Sequence, residues 1–375
     1  MDPRRILVLA EGQLGDLLLL TPALRSLKKS IPGCGLTVVV VQRRSYGSNS
    51  QVSAVPFNTP PLCGTSEVLT FSPYVDEVIE IQRPALRSLH GLARIRAELA
   101  IIRRLRSGKF DTAICCFPED RFVLWAALSG ASIRVGQNGQ AFGWLLSRPL
   151  EVRKDQGGVL RYYCALAEAA GARIDSEETQ FAIPAESDAR ALQLLTSCGL
   201  KEGEPFALVH PGASGPYRVW PPERFAAVIG ALLEEWNLKT LLCGTLHDKQ
   251  AVDAVRSRLS VPAIVLFLEE SVADFAALMK RASFCISNDS GPRHLAVSIG
   301  VPSVAILPKH NDRAWGAYGQ SSELLLGRDP CPVCPAERCL DLLPEGEEFG
   351  SYCIRMVTVE TVLDRVRGFF KERPA

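Results

Sequence analysis

Apolar positions along this chain alternate between two rhythms. "RILVLA" (5–10) and "LTVVVVQ" (36–42) are short unbroken apolar runs, the second rich in β-branched residues, as expected of strands buried on both faces of a parallel sheet. Between them, residues 16–30 set Leu17, Leu18, Leu20, Leu24 and Leu27 along a helix. Further strands are expected at 77–81 and 111–117, with helices at 84–107, near 121–129 and at 157–170. Residues 43–72 carry Gly, Ser, Asn and Pro without a period and read as mostly loop. The acidic, polar stretch 174–190 reads as a linker. Beyond it, strands at 206–210, 239–243, 263–267, 284–287 and 303–307 alternate with helices near 222–236, 247–259, 271–282 and 291–300, and a last helix is expected over 360–375. Ser271 and Asp274 have the spacing of a capping box. Such alternation builds parallel βαβ units, so the expected fold class is α/β, two doubly wound Rossmann-like domains facing across a cleft.

Composition narrows the function. The 375 residues are 47% hydrophobic and 22% charged, enough apolar material for two cores. Lys plus Arg (42) nearly cancels Asp plus Glu (41), and a net charge of +1 argues against a nucleic-acid partner. No run approaches the roughly 18–20 apolar residues of a membrane span. The apolar run at the N-terminus is too short for a signal-peptide core, so a cytoplasmic protein is expected. Twelve cysteines without a secretion signal do not suggest a disulfide framework; those in apparent strands behave as small apolar residues.

In open α/β sheets ligands bind beyond the carboxyl ends of strands, where loops enter helices. Four loops here have that position and unusual polarity. "LAEGQLGDLLLLTPAL" places Gly12, Gly15 and Asp16 after the first strand, and Asp16 reads either as a functional carboxylate or as a helix-start residue favoured by the macrodipole. It lacks the G-x-G-x-x-G of a dinucleotide fingerprint, which disfavours a nicotinamide-dependent oxidoreductase. "ALVHPGASGPYRVWPPERF" (207–225) combines Gly212, Ser214 and Gly215 with Arg218, a residue type that grips phosphate oxygens in pairs, and with Trp220 as a packing anchor. "LLCGTLHDKQ" (241–250) ends a strand at Gly244-Thr245 and offers Asp248 to ribose hydroxyls. "CISNDSGPRHLAVSIGVP" (285–302) gathers Asn288, Asp289, Ser290, Gly291 and His294 at a helix start, where free N–H groups and an imidazole can meet an anion.

These segments resemble family-nine glycosyltransferases, the group that includes the ADP-heptose:lipopolysaccharide heptosyltransferases. The resemblance rests on "GDLLLLTPAL", "HPGASGPYRVWPPERFA" and "NDSGPRHLAVSIGVP", which fall in order within about 16–30, 206–250 and 284–307. It implies a GT-B architecture, with an acceptor domain at 1–180 and a donor domain at 181–359, and the last helix (360–375) packing back on the first domain. It implies inverting transfer from a nucleotide-sugar donor to a lipid-linked or glycan acceptor, with no cofactor required for catalysis. Asp16 would be the general base, Arg218 would hold the donor diphosphate, and Asp248 would hold the ribose. Asp289, Ser290, Gly291 and His294 would line the diphosphate and sugar pocket. Asp16, Arg218 and His294 form the expected catalytic set; Gly15, Ser214, Thr245 and Asn288 complete the expected donor-binding set. Two other readings remain beside this one: a different nucleotide sugar, and a sugar-binding module of the same fold without turnover.

Two features lie outside this scheme. Cys331, Cys334, Cys339 and Cys353, in the Cys-rich segment 331–353, include a C-x2-C pair that can chelate a structural zinc or iron, or else are free thiols. Residues 83–109 hold eight Arg or Lys against one Glu, interleaved with Leu, Ile and Ala. They read either as a crossover helix with a solvated basic face or as a helix making peripheral contact with the inner membrane.

Overall fold

Continuous apolar runs have no polar face to give to water, and here they become the inner strands of two mostly parallel sheets. The computed structural model describes residues 4–42, 57–58, 64–153, 157–268, 271–309, 315–316, 318, 322–327 and 343–371. These fall into two compact units, Met1–Ala182 and Ile183–Ala375.

The first unit contains β1 (Arg5–Glu11), β2 (Gly35–Gln42), β3 (Phe57–Asn58), β4 (Glu77–Gln82), β5 (Thr112–Cys115), β6 (Ile133–Gln137) and β7 (Arg148–Leu150). The order across the sheet is β3-β4-β2-β1-β5-β6-β7, parallel except for the β3–β4 pair. Its helices are α1 (Leu14–Ser30), α2 (Glu67–Thr70), α3 (Arg83–Ser88), α4 (Gly91–Ser107), α5 (Asp120–Leu128) and α6 (Val159–Ala169). The single helix expected over 84–107 is two. His90 is extended and Gly91 takes φ +52°, so the helical ladder stops at Leu89 and restarts. The short strands β6 and β7 carry Arg, Gly and Pro, which hid them from a search for apolar runs. Of the 43–72 segment, residues 43–56 and 59–63 lie outside the described residues, and its end forms a 3-10 turn and α2.

The expected linker runs without regular structure to Pro184 and then becomes α7 (Ala185–Ser197), whose first-turn Glu186 and Asp188 suit a helix N-terminus. The second sheet comprises β8 (Phe206–His210), β9 (Lys239–Gly244), β10 (Ile264–Phe267), β11 (Phe284–Asn288), β12 (Ser303–Leu307) and β13 (Ser322–Leu326). Its order is β10-β9-β8-β11-β12-β13, all parallel. Helices α8 (Pro222–Trp236), α9 (Lys249–Arg256), α10 (Val272–Lys280) and α11 (Gly291–Ser298) provide crossovers. Of the expected capping box the Ser271 half forms: its Oγ accepts from the Asp274 N–H at 3.1 Å.

The final helix, α12 (Val359–Lys371), corrects an expectation. Its apolar face is buried in the second unit's own core: Val362, Leu363 and Val366 join Trp220, Phe225 and Ile286, and Phe370 stacks on Trp236 at 5.4 Å. Trp220 secures the approach to that helix, its Nε1–H donating to the Val357 carbonyl at 2.9 Å while its ring lies edge-on to Phe225 at 5.1 Å. Replacing so large a buried side chain leaves a cavity and takes one of two donors from the Val357 carbonyl, which keeps Arg224 at 2.6 Å. Trp220→Ala is expected to cost about 3–5 kcal/mol, read as a lower urea midpoint. A midpoint unchanged from wild type would mean that α12 is anchored elsewhere.

Candidate functional site

Each sheet reverses its strand order once, between β1 and β5 in the first unit and between β8 and β11 in the second. Loops leaving adjacent strands in opposite directions at such a point open a crevice at the carboxyl edge. Both polar clusters of interest lie there.

In the first unit, Asp16 occupies the first turn of α1, directly after β1. It is buried, and the Tyr163 hydroxyl donates to its Oδ1 at 2.6 Å. Tyr163 comes from α6, which packs on α1. Burial, with the Asp16 charge next, holds the Tyr163 phenol protonated far above its usual range, so it remains a donor. The turn before Asp16 is tightly braced. A side chain at Gly12 would lie 2.2 Å from Gln42 Oε1, and Thr65 Oγ1 donates to the Gly12 carbonyl at 2.7 Å. Gly15 sits beside Asp16 in the first unit, and the other expected donor-binding residues belong to the second.

The second unit gathers those others. His210 at the end of β8 is in register with Ser287 of β11, so the loops after both strands start side by side. Asn288 staples them: its Oδ1 accepts from the Trp220 N–H at 3.0 Å and its Nδ2 donates to the Pro211 carbonyl at 2.6 Å. Fully buried and committed to the protein, Asn288 is a brace rather than the ligand contact expected of it.

Asp289 sits between two cations. Arg218 reaches its Oδ2 at 2.5 Å and also donates to Ser214 Oγ at 2.8 Å, while Arg293 reaches its Oδ1 at 3.1 Å. Arg293 is fully buried, donates to the Gly316 carbonyl at 2.8 Å and lies over the Tyr318 ring at 5.5 Å. Its Nε has no hydrogen-bond partner among the described residues. Two guanidiniums on one carboxylate leave this loop net positive at the start of α11, where Ser290 is the N-cap and Gly291 and Pro292 open the helix. Arg293 escaped the sequence reading, although the four-residue spacing from Asp289 in "DSGPR" was its signal. Tyr163 escaped too, and at a sequence separation of 147 from Asp16 no local pattern could have revealed it.

His294 is buried. It stacks on Tyr318 at 5.5 Å, meets Trp315 edge-on at 5.5 Å, and its Nδ1 contacts the Tyr318 hydroxyl. Burial, aided by the Arg293 cation, pushes its pKa down to about 3, so at neutral pH it is an uncharged hydrogen-bonding group, not a cation. Thr245 and Asp248 form a reciprocal cap: Asp248 Oδ2 accepts from the Thr245 N–H at 2.9 Å and hydroxyl at 2.7 Å, and lies 3.5 Å from His210 Nε2. Burial opposes the Asp248 charge, but the His210 contact and the Thr245 donors outweigh it and hold the carboxyl well below its usual range. Gly212 is required beneath it, since a side chain there would lie 1.9 Å from Asp248 Oδ1.

Cys331, Cys334 and Cys339 lie outside the described residues, whereas Cys353 is buried with its Sγ 3.6 Å from Ser351 Oγ. Among the described residues no group of three or more His, Cys, Asp or Glu gathers to hold a metal ion, and no helix is long and apolar enough to cross a membrane.

The profile of glycosyltransferase family 9 (heptosyltransferase) matches residues 98–341. Lipopolysaccharide heptosyltransferase 3 of Escherichia coli is 22% identical over 312 residues, 82% of this chain and 84% of that protein. Among solved structures, the glycosyl transferase family 9 protein of Veillonella parvula superposes with a TM-score of 0.78 at 23% identity, over 100% of this chain and 99% of that one. The ADP-heptose lps heptosyltransferase II of Escherichia coli gives 0.72 at 18% identity, over 98% and 99%. The two parallel-sheet units therefore have the GT-B fold.

The buried neutral imidazole carries a pH signature. In the unfolded chain His294 binds a proton near its ordinary 6.5, and in the folded protein only near 3. Its contribution to stability is full above about pH 6.5 and is lost as pH falls toward 3, reaching about 2 kcal/mol at pH 5. Urea midpoints of wild type and His294→Gln at pH 7 and pH 5 are expected to show the smaller acid loss in the variant. Equal losses would mean that the imidazole is not held neutral.

Proposed function

Since the chain belongs to glycosyltransferase family 9, the heptosyltransferase family, we propose that it transfers heptose, with inversion, from ADP-heptose to a lipopolysaccharide core or related glycan acceptor. The observation that carries this reading is the net-positive cluster of Arg218, Asp289 and Arg293 at the N-terminus of α11. It suits a diphosphate, because guanidiniums bind phosphate oxygens in pairs and helix-terminal N–H groups complete the shell. The choice of ADP-heptose rests on the Escherichia coli relative whose name carries that donor.

In the proposed reaction Asp16 accepts the proton of the acceptor hydroxyl as its oxygen attacks the anomeric carbon. A new glycosidic bond forms, and the bond from that carbon to the diphosphate oxygen breaks. The Tyr163 hydroxyl donates to Asp16 Oδ1 and orients the carboxylate that acts as the base. The departing ADP carries away the bonding electron pair, and Arg218, Arg293 and the start of α11 offset its charge. His294 contributes as a neutral donor. Ser214, Ser290 and Gly291 line the diphosphate, and Thr245 with Asp248 shapes the nucleoside end above Gly212. No resident metal is assigned a step.

Calorimetry with ADP, UDP and GDP tests the donor reading. ADP is expected to bind preferentially, and Arg218→Ala to weaken it about 10–100-fold through loss of a charge-assisted contact. Asp16→Asn is expected to lower turnover about 10²–10⁴-fold while leaving ADP affinity unchanged. Preference for UDP or GDP would replace the donor, and nucleotide-sugar binding without any turnover would make the protein a binding module.

A further inference from the structure

The neutral imidazole of His294 can carry its single ring proton on either nitrogen, and the choice decides whether a ligand meets a donor or an acceptor. Two residues between β12 and β13 bear on that choice. Tyr318 stacks on the imidazole with ring centroids 5.5 Å apart and planes 14° from parallel, and its hydroxyl meets Nδ1. Trp315 closes on the same ring edge-on, at 5.5 Å and 63°. Tyr318 is itself held in place by the neighbouring residue of α11. Arg293 lies over its ring at 5.5 Å and donates to the Gly316 carbonyl at 2.8 Å, while Asp289 fixes Arg293 at 3.1 Å. These contacts keep the phenol against Nδ1.

The contact has one consistent arrangement of hydrogens. Burial holds the Tyr318 phenol protonated well above its usual range, so the group is a donor. Its O–H meets no other acceptor among the described residues, and Nδ1 must supply the lone pair. A proton on Nδ1 would leave the hydroxyl hydrogen without a partner. A second ring proton is opposed by burial and by the Arg293 and Arg218 cations; Asp289 would favour it, but that carboxylate is shared between the two guanidiniums. The single proton therefore sits on Nε2, which forms no hydrogen bond among the described residues.

We propose that Tyr318 is a positioning residue that holds His294 in its Nε2–H form, so that the imidazole presents a fixed donor, never an acceptor, to the diphosphate at the start of α11. A bare nitrogen there would repel phosphate oxygens. An N–H instead joins the Arg218, Arg293 and helix-terminal donors. A neutral ring also keeps its proton. Its N–H strengthens a hydrogen bond as negative charge grows on the departing oxygen, and the diphosphate leaves unprotonated, with the bonding electron pair and no proton from His294. The inference rests on the transferase reading for the identity of that ligand, and not for the tautomer.

Nitrogen-15 NMR of the full chain labelled at histidine, with no nucleotide present, tests the tautomer apart from the transferase reading. The chain has five histidines, and the signals lost in His294→Gln assign this one. At pH 7 one nitrogen is expected far downfield, where a bare ring nitrogen resonates, and the other at the position of an N–H. The bare one should couple strongly to a single ring hydrogen, which identifies it as Nδ1. Tyr318→Phe keeps the stacked ring and removes only the hydroxyl, so its Nδ1 signal should move further downfield as the hydrogen bond is lost. A proton on Nδ1, two protonated nitrogens, or a variant spectrum identical to wild type would overturn the proposal. Calorimetry with ADP reads the consequence. Tyr318→Phe should weaken ADP about fivefold, and in a His294→Gln background the same change should weaken it no further, because its effect runs through the imidazole. Additive losses would make Tyr318 a packing residue and overturn the positioning role, as would wild-type affinity in Tyr318→Phe. Failure of the wild type to bind ADP would remove the diphosphate as the ligand, and the NMR would still decide the hold of Tyr318 on His294.

Discussion

Neighbouring strands of a parallel sheet run the same way, so the chain must cross the sheet after every strand. All strands then end on one edge, and each crossover helix starts there. The polar loops of both units are consequences of this constraint. Where the strand order turns back, at β1/β5 and at β8/β11, adjacent loops diverge instead of filling each other's space. Asp16 stands at the first reversal, and His210 and Asn288 end the strands of the second.

The second reversal is organised by one carboxylate. Burying Arg293 completely would be costly without a counter-charge, and Asp289 supplies it while also drawing in Arg218 from a loop 71 residues away. One negative charge thus positions two positive ones. The surplus is delocalised over two planar guanidiniums at a helix N-terminus, a setting suited to a diphosphate rather than to a single carboxylate. His294 cannot add to this surplus because burial among Tyr318, Trp315 and Arg293 keeps it neutral.

Several polar residues of these loops prove to be braces. Asn288 ties the β8 and β11 loops together, and Asp248 closes a cap on Thr245 while lying against Gly212. Gln42, Thr65 and Gly12 do the same beneath Asp16. Preorganised loops of this kind hold charges in place before a ligand arrives, which avoids an ordering cost on binding. The Cys285 thiol in β11, just before these loops, is pushed up to about 12 by burial and serves as an apolar strand residue.

Periodicity and local motif were legible from the chain alone. Apolar runs identified most of the inner strands, because a strand buried on both faces has no polar positions to disguise it, and the Gly-, Pro- and Asp-rich loops marked the carboxyl edges of the two sheets. Short edge strands such as β7 escaped because their residues are half in solvent and need no apolar run. The break at His90–Gly91 escaped because a helical pattern of apolar residues does not register a backbone turn. Everything that depended on distant partners was decided by the tertiary structure. The Tyr163 hydroxyl on Asp16, Arg218 on Asp289, the burial that neutralises His294, and the packing of α12 in the second core each join segments far apart in sequence. Charge state and hydrogen bonding depend on which groups meet in space, and residue spacing along the chain records that only where the partners are a helical turn apart, as Asp289 and Arg293 are.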